Sequence, residues 1–128
     1  MKPKKIYFLL LLLTIFYSKT MFAQENKQMV RIAKLVIDTN QLDGYKAALT
    51  EEIKTSVSLE PGVLTLYAIE EKDNPSNITI LEIYASEEAY KAHLQTPHFI
   101  KYKTTTKEMV KSLKLVEVIP LVPEMKIK

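Results

Sequence analysis

The chain has 128 residues, no cysteine, no tryptophan and two histidines, with a formal net charge of +3. This length suits a single domain, and the absence of cysteine excludes disulfides and a lipid-modified cysteine anchor. Four lysines precede residue 24, which leaves fourteen basic and fifteen acidic residues in the rest of the chain. The positive charge therefore belongs to the start of the chain, and nothing indicates a nucleic-acid-binding surface.

The first 23 residues have the pattern of a secretory signal peptide. A basic start, Met1-Lys-Pro-Lys-Lys5, precedes an apolar run from Ile6 to Phe16, and Met21-Phe-Ala23 ends on a small residue suited to cleavage. The apolar run is shorter than the roughly 20 residues of a membrane span. We predict a leader over residues 1–23 and a periplasmic or secreted domain over residues 24–128, with no stable membrane insertion.

The pattern of the next segments predicts a strand, a helix and a second strand. Met29–Ile37 is rich in β-branched residues and is apolar on both faces, which predicts a strand covered on both sides. A helix is expected from about Asn40 or Gln41 to Ser58, with Glu51, Glu52 and Lys54 outside its apolar stripe. That stripe consists of Leu42, Tyr45, Leu49, Ile53 and Val57. Glu60-Pro-Gly62 ends this helix, and Val63–Ile69 follows as a second strand.

The second half of the chain again alternates strands and helices. A loop over residues 73–77 leads to a third strand, Ile78–Tyr84, and Ser86 caps a helix over residues 87–95. A further helix begins at Pro97, because Thr96 is a good N-cap and proline suits the first helical position. Its apolar stripe continues to Leu113, and a last strand is expected from about Leu113 to Leu121.

The order β-α-β-β-α-β predicts an α+β, ferredoxin-like fold with an antiparallel sheet. Its helices cover one face of the sheet, whereas the strands are apolar on both faces. A second copy of the chain that packs on the uncovered face would bury its apolar residues, so we predict a homodimer.

Three stretches together carry a family resemblance. They are Glu60-Pro-Gly62, Leu81-Glu-Ile-Tyr84 and Ala92-His-Leu-Gln-Thr-Pro-His-Phe99. They resemble the antibiotic biosynthesis monooxygenase family, and within it the quinol monooxygenase branch, over about residues 29–121. The resemblance implies a dimeric α+β barrel with a pocket between helices and sheet in each subunit. It also implies oxidation of a small phenolic or quinol-like aromatic by O₂, without flavin, haem or metal.

Haem-degrading members of the family differ from this chain at three positions. They have tryptophan at the position of Tyr84, an iron-ligating histidine at that of Tyr102, and an asparagine near Leu35. Haem degradation is therefore set aside. Tyr84 also stands where many oxygenating members have tryptophan, which leaves the substrate open.

The two histidines are the catalytic candidates. His98 is the first choice for a general base, because the N-terminus of a helix disfavours the imidazolium form; its alternative role is a half-exposed helix cap. His93 is the second candidate, or else a packed histidine bonded to backbone. As metal ligands the two lie five residues apart across a helix break, with no third ligand evident nearby.

The substrate-binding candidates are Tyr84, Tyr102, Phe99, Leu35 and Tyr67. The hydroxyl groups of Tyr84 and Tyr67, like the carboxyl of Glu82, need partners if they are buried. Tyr102 can equally belong to the core, and Arg31 either lines the pocket or forms an ion pair at a dimer interface.

The sequence thus supports two functions. The first is an exported, cofactor-independent monooxygenase that oxidises a small phenolic aromatic with His98 as the base. The alternative is a module of the same fold that holds a small apolar ligand without turnover, because fold does not fix function.

Overall fold

The computed structural model describes residues 27–124, so the predicted signal peptide lies outside the described residues. Its strands are β1 (Met29–Ile37), β2 (Val63–Glu70), β3 (Asn77–Tyr84) and β4 (Val110–Val118). Its α-helices are α1 (Leu42–Leu59), α2 (Glu87–His93) and α3 (Pro97–Thr106), and a 3₁₀ turn, Thr39–Gln41, precedes α1. None of the helices in this range is long and apolar enough to span a membrane.

The four strands form one antiparallel sheet in the order β2-β3-β1-β4. The β-branched strand β1 lies in the interior of the sheet, where Ile32 is opposite Leu81 of β3 and Val116 of β4. With three helices inserted between these strands, the predicted ferredoxin-like fold is confirmed.

One face of the sheet packs against the helices and forms the core. Successive side chains of a strand point to opposite faces, and the buried alternate positions of β1 are Ala33, Leu35 and Ile37. The remaining buried members of this cluster are Tyr45 and Leu49 from α1 and Ile78 and Ile80 from β3. The core therefore lies between α1 and the two middle strands.

The opposite face, called the open face below, carries the alternate apolar residues of all four strands. The register places on it Val30, Ile32, Val36, Tyr67, Ile69, Leu81, Ile83, Val116 and Val118. Tyr67 is 65% exposed and Ile69 is 53% exposed. The helices thus cover only one face of an apolar sheet, as the sequence predicts.

The C-terminal boundaries differ from the predicted ones. Helix α3 ends at Thr106, and β4 runs from Val110 to Val118 rather than from Leu113 to Leu121. The Met109 carbonyl accepts a hydrogen bond of 2.8 Å from the Asp38 amide, and Val110 already pairs with Ile37. Pairing with β1 therefore starts the strand three residues earlier than the helical spacing of the apolar residues suggests.

Candidate active site

A cavity of about 350 Å³ lies between the helices and the sheet. Apolar side chains from β1, α1 and β4 form much of its wall, among them Ala33, Leu49 and Leu115. The polar and aromatic groups that line it are Arg31, Glu52, Glu82, Tyr84, Tyr90, His93, Phe99, Tyr102, Lys103, Thr106, Lys107, Lys111 and Ser112. An apolar pocket with a few converging polar groups is the usual form of a small-molecule site.

Most of the predicted substrate-binding residues meet at this cavity, with one exception. Leu35, Tyr84, Phe99 and Tyr102 all line it. Tyr67 does not: its side chain lies on the open face, and the neighbouring Leu66 reaches the cavity instead. The alternation of β2 decides this, because both faces of the strand are apolar and the sequence does not reveal which one meets the helices.

His98 lies at the second position of α3, as predicted, but outside the main cavity. Thr96 caps this helix by accepting a hydrogen bond from the Phe99 amide, and Pro97 is the first helical residue. His98 lines a separate groove of about 50 Å³. Its Nε2 lies 2.7 Å from Oε2 of Glu60. His98 therefore reaches the main cavity only through Glu60 and His93.

His93 lies between two carboxylates at the cavity wall and is 2% exposed. Its Nδ1 is 3.0 Å from Oε2 of Glu60, and its Nε2 is 3.5 Å from Oε1 of Glu52. The rings of Tyr84 and Phe99 pack against the imidazole, with centroid distances of 5.5 and 4.8 Å. The side-chain partners of His93 are thus carboxylates, in contrast to the backbone contact considered from the sequence.

Glu52 is a site residue that the sequence did not reveal. We expected it outside the apolar stripe of α1, yet it is 5% exposed, whereas Val57 of that stripe is 48% exposed. The hydroxyl of Ser56 donates a hydrogen bond of 2.6 Å to Glu52. Burial raises the pKa of Glu52, against the lowering effects of Ser56 and the two histidines. Glu52, Ser56 and Glu60 are spaced four residues apart, which places them on one face of α1, and this spacing is the sequence feature that could have identified Glu52.

Glu60 is held at the site by a close approach of its turn to α2. A Cβ atom placed on Gly62 would lie only 2.6 Å from Cβ of Ala89. The Ala85 amide also donates a hydrogen bond of 2.8 Å to the Gly62 carbonyl. Burial opposes the ionisation of Glu60, but hydrogen bonds from His98 and His93 outweigh it and lower its pKa. Glu60 is therefore a carboxylate that both histidines share.

Arg31 lies at another part of the cavity wall and is 8% exposed. Its Nη1 donates to the Tyr90 hydroxyl, its guanidinium lies 4.4 Å from the Tyr90 ring centroid, and its Nη2 pairs with Glu117 at 3.3 Å. Arg31 thus lines the cavity and also forms an ion pair within the chain. Glu82 lies nearby, where burial raises its pKa against the effects of Tyr84 and Arg31.

The buried tyrosines supply hydroxyl groups rather than phenolates. The hydroxyls of Tyr45 and Tyr102 lie 2.7 Å apart, and that of Tyr84 donates to Glu82 at 3.2 Å. Burial raises the pKa of each of the three. Tyr84 and Tyr102 therefore stay protonated near neutral pH, as neutral hydrogen-bond donors at the cavity.

The sequence profile of one family, antibiotic biosynthesis monooxygenase, matches residues 29–105. The chain belongs to this family. A Bacteroides thetaiotaomicron protein of known crystal structure, provisionally named an antibiotic biosynthesis monooxygenase, is 53% identical in sequence to this chain. The match covers 80% of this chain and 97% of that protein, with a TM-score of 0.79. No functionally curated protein matches the sequence.

Two other solved structures are similar to this one in fold. A Lactobacillus acidophilus protein, provisionally named a monooxygenase, is 32% identical with a TM-score of 0.71. The match covers 76% of this chain and 46% of that longer protein. A Mycobacterium tuberculosis protein, 22% identical with a TM-score of 0.66 over 74% of this chain and 96% of its own, shares the fold. The resemblance seen in the sequence is thus confirmed at the level of the family.

Proposed function

We propose that this member of the antibiotic biosynthesis monooxygenase family oxidises a small phenolic aromatic of the hydroquinone type with O₂. The observation that carries the proposal is the buried His93–Glu52 pair in the wall of an otherwise largely apolar cavity. A cavity of about 350 Å³ suits an aromatic of one or two rings.

The His93–Glu52 pair would act as the base. A phenol that enters the cavity gives its proton to this pair, and the phenolate that results is electron-rich enough to reduce O₂. The positive charge of Arg31 and the hydroxyl of Tyr84 favour the phenolate, while Phe99 and Leu35 exclude water.

The overall reaction balances without a further reductant. A hydroquinone and O₂ give a hydroxyquinone and water. One oxygen atom forms a bond to a ring carbon and replaces its hydrogen, and the other leaves as water with the proton that the pair returns. The substrate supplies all four electrons. His98, the base predicted from the sequence, would act at a distance by holding Glu60, which in turn orients His93.

Oxygen uptake with a panel of hydroquinones tests the proposal. We expect His93→Gln and Glu52→Gln each to lower kcat at least about 100-fold, the effect typical of a lost acid–base group. Tyr67→Phe is the matched control, because Tyr67 lies on the open face and should not affect turnover. Unchanged uptake in both variants would remove the pair from the mechanism.

A binding module without turnover is the second candidate, and one observation favours it. Both nitrogens of His93 already face carboxylates, Nδ1 that of Glu60 and Nε2 that of Glu52, so a substrate must displace one of them. Thermal shift with menadiol-like aromatics separates the two functions. Stabilisation without oxygen consumption supports binding, whereas consumption supports the monooxygenase.

We also propose that the protein works as an exported homodimer. The basic and apolar pattern of residues 1–23 supports export after cleavage near Ala23. The open face supports association, because monomeric proteins rarely leave so large an apolar surface in water.

A further inference from the structure

We propose that Glu60, His93 and His98 form a binding site for a divalent transition-metal cation of the zinc class. One ligand atom of each of these three residues lies within 4.8 Å of those of the other two. The two histidines alone are a weak metal signal in the sequence. The structure adds the third donor that the sequence did not reveal.

The distances suit such an ion after a small adjustment. Oε2 of Glu60 lies 3.0 Å from Nδ1 of His93 and 2.7 Å from Nε2 of His98, which are hydrogen-bond distances. With zinc bonds of about 2.0–2.1 Å, tetrahedral ligand atoms lie roughly 3.3 Å apart. These two distances therefore need to lengthen by only a few tenths of an ångström, while the ligand atoms of the two histidines, which lie within 4.8 Å of each other, need to approach until an ion can bridge them.

The fold holds the three donors in place from separate elements. Glu60 caps the end of α1, His93 is the last residue of α2, and His98 is the second residue of α3. Because Gly62 has no Cβ, the Glu60 turn can lie close to Ala89 of α2. The donors are thus already together in the folded chain.

The surroundings of His93 resemble the outer shell of a metal site. A histidine that binds a metal through one nitrogen usually donates its other N–H to a carboxylate, which fixes the tautomer. Nε2 of His93 faces Oε1 of Glu52 at 3.5 Å, and Ser56 in turn holds that carboxylate. Glu52 would therefore orient His93 without touching the ion.

Charge also favours a cation at this position. Across residues 27–124, the ion pairs of Glu52 and Glu60 are made with the two histidines and with no lysine or arginine. The donor set therefore includes carboxylate oxygens that no basic side chain of the described residues neutralises, and a divalent ion would supply the missing positive charge. One carboxylate with two imidazoles suits zinc, copper, nickel or cobalt better than magnesium or calcium, which prefer oxygen ligands.

The site has a path to solvent, and only one of its three ligands lines the main cavity. The side chains of Glu60 and His98 are 15% and 16% exposed, so an ion can enter from the outer side. His93 lines the main cavity, whereas the other two ligands do not. Ion binding is independent of the proposed function. Its consequence rests on that function: a bound ion would hold His93 away from its role as base and inhibit turnover.

Calorimetric titration of the chelator-treated, tag-free protein with Zn²⁺ tests the proposal. We expect one ion per chain, and a loss of affinity of at least about 100-fold in both His98→Asn and Glu60→Gln. Glu52→Gln should weaken binding about 10- to 100-fold, as outer-shell changes do. Glu51→Gln is the matched control, because Glu51 is an exposed carboxylate that pairs with Lys101 in the groove beside His98.

Co²⁺ provides a second measurement that reports on the ligands. His93 and His98 are the only histidines, and the chain has no cysteine, so a tetrahedral cobalt spectrum would be assigned to this site. We expect the spectrum in the wild type and its loss in His98→Asn, with circular dichroism confirming the fold of each variant. Absence of binding, or equal binding in the wild type and both ligand variants, would overturn the proposal. Neither measurement uses a substrate, so failure of the proposed function cannot be mistaken for failure of the metal site.

Discussion

The two glycines of the chain should respond in opposite ways to substitution by alanine. Gly62 approaches α2 so closely that a new Cβ would lie 2.6 Å from Cβ of Ala89 and 3.6 Å from its Cα. At Gly44, inside α1, the nearest atom would be Cε of Met109 at 3.6 Å, an ordinary contact at the end of a flexible side chain. Neither glycine has a positive φ, so contact distance and helix propensity decide both outcomes.

The expected magnitudes follow from these distances. Gly62→Ala should lower the free energy of unfolding by about 1–3 kcal/mol, the usual cost of forcing an extra methyl group into a packed region. Gly44→Ala should raise it by about 0.5–1 kcal/mol, because alanine restricts the unfolded chain and favours the helix. In a domain of this size, 1 kcal/mol corresponds to roughly 4–8 °C in Tm.

Thermal and urea unfolding, followed by circular dichroism, measure both changes. The double variant Gly62→Ala with Ala89→Gly identifies the cause, because removing Cβ of Ala89 removes the 2.6 Å contact. We expect a coupling energy of about 1–2 kcal/mol between the two substitutions. A Gly62→Ala protein as stable as the wild type, or a double variant whose loss is the simple sum, would refute the steric explanation of how Glu60 is positioned.

Two further predictions concern the open face and Glu82. We expect the purified protein to sediment as a dimer. Ile69→Asp, on the open face, should make it monomeric, whereas Leu59→Asp at the exposed end of α1 should leave the dimer intact. A folded wild-type monomer would contradict this prediction. Burial raises the pKa of Glu82 in the folded protein, so its protonated form is favoured there and the free energy of unfolding should fall as pH rises above about 4.5. Urea unfolding from pH 4 to 8 should show a weaker fall in Glu82→Gln, and an identical pH dependence would show that Glu82 has no such effect.

The sequence alone determined the elements whose signals are local. The nine residues of β1, the cap at Thr96 with Pro97 behind it, and the turn at Glu60-Pro-Gly62 follow from β-branching, proline geometry and side-chain capping. Each depends on neighbours a few residues away in the chain. The order of these elements and the motifs around His93 were enough to indicate the fold and the family.

Only the tertiary structure decided which side chains share the site. Glu52, on α1, and Glu60, at its end, both contact His93 of α2, and these contacts depend on packing between segments that are distant in the sequence. Tyr67 falls outside the cavity because both faces of β2 are apolar, so its alternation could not indicate which face meets the helices. The start of β4 likewise depends on hydrogen bonds to β1, because Met109, Val110 and Leu113 continue the helical spacing of the apolar residues of α3 and the sequence does not show where the helix ends.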